Sequence, residues 1–272
     1  FWFILASFLL VEEYGELHFV IAIASIAYSS CILGSNNSFL VYSSKFPKIV
    51  PTLMVVSLIF TIISSIIVYV IFQKFEITFF MFSLIIFEIS ITITVGKKLY
   101  TKYSKMILIQ KTLQFILGIS LYFIFGLHGV IYGIALSSLI LIIIFYKEIK
   151  LYKIDFSLLK QKKEFLFNNH ALNVISTFRK DIDKILIVPL FGFTLLGNFA
   201  LSLQFFAILM IFANISFKYL LPKDIEGDQN KKLKKLLILF SILISLLGYF
   251  TSPFLIENFF SQYSESIIPI QI

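Results

Sequence analysis

Charge, cysteine, glycine and proline are all scarce in this 272-residue sequence. Charged residues make up 14% of it, against roughly 25% in an ordinary soluble domain, which excludes a soluble globular enzyme. The one cysteine, Cys31, has no partner for an internal disulfide; lying in an apolar stretch, it reads as a small buried hydrophobe. Eleven glycines and six prolines are too few for a collagen-like or low-complexity chain. Three histidines, each alone in its stretch, make no metal site. No Gly-rich phosphate loop and no Ser/His/Asp spacing occurs, so neither bound ATP nor any other cofactor is expected.

What the chain has is apolar length. Hydrophobic residues are 59% of it, phenylalanine occurs 33 times and the mean hydropathy is +0.96. A hydrocarbon core of about 30 Å takes roughly 17–25 apolar residues per helix. With that ruler the sequence divides into a partial first span, 1–11, and complete spans near 17–33, 52–72, 77–95, 107–125, 130–145, 165–190, 198–217 and 236–252, with the last twenty residues starting a tenth. Runs of this length lack the alternation of barrel strands, so the expected fold is all-α, a polytopic transmembrane helical bundle. The chain starts Phe1-Trp2-Phe3 without Met and stops soon after Pro269, which reads as a fragment cut at both ends.

The net charge of +8 acquires meaning from position. Lys45 and Lys48, Lys97, Lys98, Lys102 and Lys105, the six lysines from Lys147 to Lys163, and Lys218, Lys223, Lys231, Lys232, Lys234 and Lys235 all fall in alternate loops. The opposite loops hold Lys74 with Glu12, Glu13, Glu16, Glu76, Glu257 and Glu265. Positive loops stay on the cytoplasmic side, so the expected location is the cytoplasmic membrane with the lysine loops inside; membrane lipids are partners and nucleic acid is not. Residues 152–163 are expected to form an interfacial amphipathic helix.

Ionisable groups within spans cost about 2.5–3.5 kcal/mol each on insertion scales and therefore mark function or pairing. The seventh span holds the most. His170, Asn173, Thr177, Lys180 and Lys184 follow one another at spacings of 3, 4, 3 and 4 and share a helical face, widened by Asn169, Ser176, Asp181 and Asp183. Leu172, Ile175, Phe178, Ile182 and Ile185 lie off it. Arg179 reaches Asp183 at i+4 and Asp181 reaches Lys184 at i+3. Two readings stand side by side: an aqueous cavity in which Arg179, Lys180 and Lys184 hold an anion, or a helix–helix ion-pair network. Glu88, in the fourth span near Ser90, Thr92 and Thr94, is a candidate for ion coupling or for pairing with a lysine of a neighbouring helix. Lys111, with Gln110 and Gln114, lies within snorkelling reach of the cytoplasm.

The segments VEEYGELHFVIAIA and FGFTLLGNFALSLQF each place a glycine, Gly15 or Gly197, before a helix rich in small residues, and the following span starts 37 and 39 residues later. This points to parallel repeats with a cavity between halves. EEYGEL at 12–17, LGSNNSFLVYSSK at 33–45 and DIDKILIVPLFGFTLLGNFALSLQF at 181–205, with Asp183, Gly192, Gly197 and Ala200, and the lysine-rich stretch before the seventh span, resemble the polysaccharide-export, or O-antigen flippase, branch of the multidrug/oligosaccharidyl-lipid/polysaccharide exporter superfamily.

That resemblance implies 12 to 14 spans in two pseudo-symmetric halves, here an N-terminal bundle over 1–150, a cytoplasmic amphipathic linker over 151–164 and a truncated C-terminal bundle from 165 to 272. It implies a non-enzymatic transporter of lipid-linked oligosaccharide, with the anionic pyrophosphate lipid as ligand and polysaccharide-assembly proteins as further partners. The rival readings are a drug or cation exporter of the same superfamily, a membrane-embedded glycan polymerase, and a non-transporting scaffold.

Overall fold

The computed structural model describes residues 1–225 and 231–271, with the side chains at 209, 212–234 and 271 outside the description. Every regular element among the described residues is helical: α1 (Trp2–Phe8), α2 (Val11–Cys31), α3 (Asn36–Lys45), α4 (Val50–Phe72), α5 (Phe75–Gly96), α6 (Tyr100–Leu139), α7 (Ile142–Ile149), α8 (Ser157–Gln161), α9 (Lys163–Ile225), α10 (Lys231–Phe259) and α11 (Ile267–Gln271). Among the described residues five helices are long and apolar enough to cross a membrane, or six if the bent pair α2 and α3 counts as one span. The protein is an all-α, multi-pass membrane bundle. Part of the difference from the sequence reading arises where two helical arms joined at a glycine count as one helix. Helices α6 and α9 each depart from helical conformation at one glycine, Gly126 (φ 60°, ψ −141°) and Gly192 (φ 83°, ψ 176°), so two expected turns are single-residue breaks.

The chain divides into two compact units, residues 19–186 and residues 1–18 with 187–272. In the larger unit α5 is central and packs on α3, α4, α6 and α7. Helix α4 explains how apolar sequences find partners in lipid. Its inward face carries Leu53, Ser57, Thr61, Ser65 and Val68, small or compact side chains at three- and four-residue intervals. Ile59, Ile62, Ile63, Ile66, Ile67 and Val70 are exposed on the other side. Lipid tails are as apolar as isoleucine, so no hydrophobic force pulls that outer face inward; close packing of the small face associates the helices. The arms of α6, 100–125 and 127–139, fold back on one another. A Cβ at Gly133 would strike the backbone of Gly118, and Gln110 Nε2 donates to Ser137 Oγ at 3.2 Å across the pair.

The second span departs furthest from expectation. Its first two turns are the acidic segment read as a loop: α2 starts at Val11, and Glu13 Oε2 accepts from the Leu10 N–H at 3.0 Å, as an acid at the third helical position does in a capping box. At the other end the helix stops at Cys31 and restarts at Asn36, bent by 43°. Gly34 takes φ +87°, and Ser35 caps α3 by accepting from the Ser38 N–H. The polar run LGSNNS is thus a break between two helices.

The expected amphipathic helix over 152–163 reduces to the five residues of α8. Asp155 Oδ1 accepts from the Ser157 N–H (2.9 Å) and hydroxyl (2.6 Å), a turn that competes with helix. These two bonds hold the Asp155 carboxyl below its ordinary range. Thr52 Oγ1 accepts from the Asp155 N–H at 3.0 Å and ties the segment to α4. The expected positions of Lys218, Lys223, Lys231, Lys232 and Lys234 concern side chains outside the described residues.

In the smaller unit, Gly15 and Gly197 meet. A Cβ on Gly15 would strike the Phe193 carbonyl oxygen, and a Cβ on Gly197 the Val11 carbonyl oxygen. Each glycine therefore faces the carbonyl four residues before the other, a reciprocal crossing that only hydrogen at Cα permits. Gly15→Ala or Gly197→Ala should each lower the thermal midpoint of the detergent-solubilised protein, by an overpacking cost of about 1–3 kcal/mol. Because both disturb one contact, the double substitution should cost less than the sum of the singles. Fluorescence-detected size-exclusion after heating reads this directly, and an unchanged midpoint in both singles would contradict the crossing.

Candidate functional site

The break in the second span leaves backbone carbonyls at the end of α2 without helical partners, and in a bilayer each must be met by protein. Neighbouring helices meet them. His170 Nδ1 lies 3.0 Å from the Ile32 carbonyl oxygen, and since a carbonyl only accepts, the ring proton sits on Nδ1. Asn173 Nδ2 donates to the Ser29 carbonyl oxygen at 3.3 Å. On the other flank the Leu33 N–H donates to Ser57 Oγ at 2.9 Å, and the buried Cys31 thiol points to the Phe60 carbonyl oxygen at 3.5 Å. The first part of the seventh-span polar face thus serves the broken helix.

Asn36, the first residue after the break, ties it to charge. Tyr28 donates its hydroxyl proton to Asn36 Oδ1 at 2.8 Å, which fixes the amide so that Nδ2 donates to Glu88 Oε2 at 3.1 Å. Glu88 interacts electrostatically with Lys111 of α6 and Lys180 of α9. Lys111 Nζ also donates to Gln114 Oε1 at 3.0 Å, an oxygen that accepts in addition from Gln110 Nε2 at 3.2 Å. One acid and two lysines, contributed by α5, α6 and α9, therefore interact beside the break and within the span region, joined to it by Tyr28 and Asn36 and to the α6 fold-back by the glutamines.

The remaining face residues separate. Asp181 is buried and its Oδ1 accepts from Lys184 Nζ at 2.5 Å, the i+3 pairing expected from sequence. Arg179, Lys180 and Asp183 are exposed, and among the described residues no ion pair joins Arg179 to Asp183, so that expected i+4 pairing is not formed. Thr177 is half-buried and has no hydrogen bond among the described residues, while Leu172, Ile175 and Phe178 are exposed on the other side as the periodicity requires. The three cations read as one group are thus in three situations: Lys184 neutralised by Asp181, Lys180 exposed and in electrostatic interaction with Glu88, and Arg179 exposed and outside both. Lys111, read as a snorkelling lysine, belongs with Glu88. Tyr28 and Asn36 were absent from the sequence reading of the site; the available signal was the polar run at 33–38 within an otherwise apolar stretch.

Compared with family models, curated proteins and solved structures, the chain matches none. The site therefore rests on its own geometry. Among the described residues no group of three or more His, Cys, Asp or Glu side chains is arranged to hold a metal. A groove lies elsewhere, at the first turns of α6.

Removing one partner of the Asp181–Lys184 pair strands the other charge in a buried position, at a cost of roughly 3–5 kcal/mol. Asp181→Asn and Lys184→Gln should each reduce the yield of monodisperse protein sharply, whereas the double variant should recover most of it. A double variant as poor as the two singles combined would show that the pair does not act as a unit.

Proposed function

We propose that the protein is a membrane transporter that moves a lipid-linked oligosaccharide from the cytoplasmic to the outer leaflet by alternating access. The observation that carries this reading is the Glu88–Lys111–Lys180 cluster beside an interrupted helix. Intramembrane charges are costly and are retained where a substrate or ion passes, and interrupted helices with polar backbone are a recurrent feature of transporter binding sites. A pyrophosphate crossing a low-dielectric region needs cations at close range, and Lys180, with Arg179 one residue before it, supplies them. Lys184 is assigned a structural role, because its charge is committed to Asp181.

In this reading Glu88 and the substrate phosphate compete for the same lysines. With the cavity empty, Glu88 balances Lys111 and Lys180; when the diphosphate arrives, the lysines turn to it and the carboxylate is left short of positive charge. Taking up a proton at that moment couples translocation to a proton gradient. Asn36 keeps the carboxylate oriented in both states. The lysine-rich loops are assigned to the cytoplasmic side, which places entry of the lipid-linked substrate there. The resemblance in 12–17, 33–45 and 181–205 supplies the substrate class, and the cationic side chains agree with an anion.

The test is translocation of lipid-linked oligosaccharide in proteoliposomes by the full-length protein. Lys180→Ala is expected to abolish translocation while membrane insertion and thermal midpoint stay within experimental error. Glu88→Gln should retain substrate binding and lose the response of rate to an imposed pH gradient. Wild-type translocation from Lys180→Ala, or a Glu88→Gln rate with the wild-type pH response, would refute the respective role.

A further inference from the structure

The groove at the start of α6 is independent of the charged interior. It measures about 560 Å³, within the range of small-molecule sites, and is lined by Lys98, Leu99, Lys102, Lys105, Met106 and Ile109 together with Tyr100 and Thr101. Two chemistries are separated along it. Lys98, Lys102 and Lys105 stand at the end of the helix and are exposed. Unlike Lys97, which Glu148 engages at 2.6 and 2.8 Å, none of the three is ion-paired among the described residues. Farther along the same face, at three- and four-residue steps from Lys102, come Met106 and Ile109, and Ile109 lies roughly 10 Å deeper along the helix axis. Lys98 adopts φ +59°, a backbone region that ordinary residues seldom occupy, in the turn that closes the groove.

The geometry points to a binding site for one anionic phospholipid, its phosphate held by Lys98, Lys102 and Lys105 and one acyl chain lying over Met106 and Ile109. Charge complementarity selects the headgroup: three ammonium groups with no acid among the lining residues favour an anionic lipid over a zwitterionic one. The apolar floor, in line with a membrane-spanning helix, selects an attached hydrocarbon chain over free phosphate.

The experiment uses the full-length protein in bilayers. Trp2 is the one tryptophan of these 272 residues; with Trp2 and every tryptophan elsewhere in the full-length protein changed to Phe, Ile109→Trp puts one reporter on the groove floor. Its fluorescence is quenched by lipids brominated in the acyl chain, phosphatidylglycerol in one series and phosphatidylcholine in the other, at equal mole fraction. Brominated phosphatidylglycerol should quench more strongly. Its relative binding constant should fall roughly fivefold for each of Lys98, Lys102 and Lys105 changed to Gln. The same reporter at Ile63 on the outer face of α4 should show no preference, and 10 mM inorganic phosphate should not relieve quenching. Native mass spectrometry of the wild-type protein and of the triple Gln variant, counting retained phosphatidylglycerol, gives the same comparison without the reporter. Equal quenching by the two lipids, selectivity that survives the triple substitution, or release by inorganic phosphate would each overturn the site.

Discussion

Every interruption of a helix within a bilayer must be repaired by protein, because the hydrocarbon offers no hydrogen bonds. The break at 32–35 meets this requirement through two neighbouring helices, α4 and α9. Ser57 of α4 accepts from the Leu33 N–H; His170 and Asn173 of α9 bond the Ile32 and Ser29 carbonyls. Those bonds fix where α9 lies against α2 in the larger unit, and so which residues of α9 come near α5. Lys180 comes within electrostatic reach of Glu88 because His170 and Asn173, three turns and two turns earlier on the same helix, are already committed.

The same rule sorts side chains. Outward faces are large and apolar, as Ile59, Ile62, Ile63, Ile66, Ile67 and Val70 of α4 show, and carry no information about partners. Inward faces are small or polar, Ser57, Thr61 and Ser65 on α4 and Gly118 against Gly133 within α6. Close approach there brings dispersion contacts and short hydrogen bonds, which in lipid do the work that hydrophobic burial does in water. The Gly15–Gly197 crossing in the smaller unit is the extreme case, with each Cα against the other segment's carbonyl.

Much of this was legible in the sequence, and the losses have physical causes. Helical class followed from run length, and the inward face of α9 in part from the spacing of His170, Asn173, Thr177, Lys180 and Lys184, of which Lys180 is exposed. Helix ends were misjudged wherever polar residues were equated with loops. Glu12, Glu13 and Glu16 lie in the opening turns of α2, where acids favour the helix N-terminus, and Asn36 and Asn37 open α3. Gly126 and Gly192 break helices within one residue because positive φ needs no loop length. Periodicity identified the Asp181–Lys184 pair, which lies within one helix turn. The hydrogen bond of Glu88 with Asn36 and its electrostatic interactions with Lys111 and Lys180 join segments 52, 23 and 92 positions apart, and no local pattern encodes them.

The central claim is that the polar face of 170–184 borders water that substrate enters. Solvent access at Thr177 tests it most directly. In a background freed of cysteine, Cys31→Ser included, a Thr177→Cys variant of the full-length protein in sealed vesicles is exposed to a membrane-impermeant thiol reagent, beside an Ile63→Cys control on the lipid-facing side of α4. The account predicts rapid labelling of Thr177→Cys, slowed by lipid-linked oligosaccharide, and negligible labelling of the control. Labelling of Thr177→Cys as slow as that of Ile63→Cys would mean a dry helix–helix contact and would contradict the account.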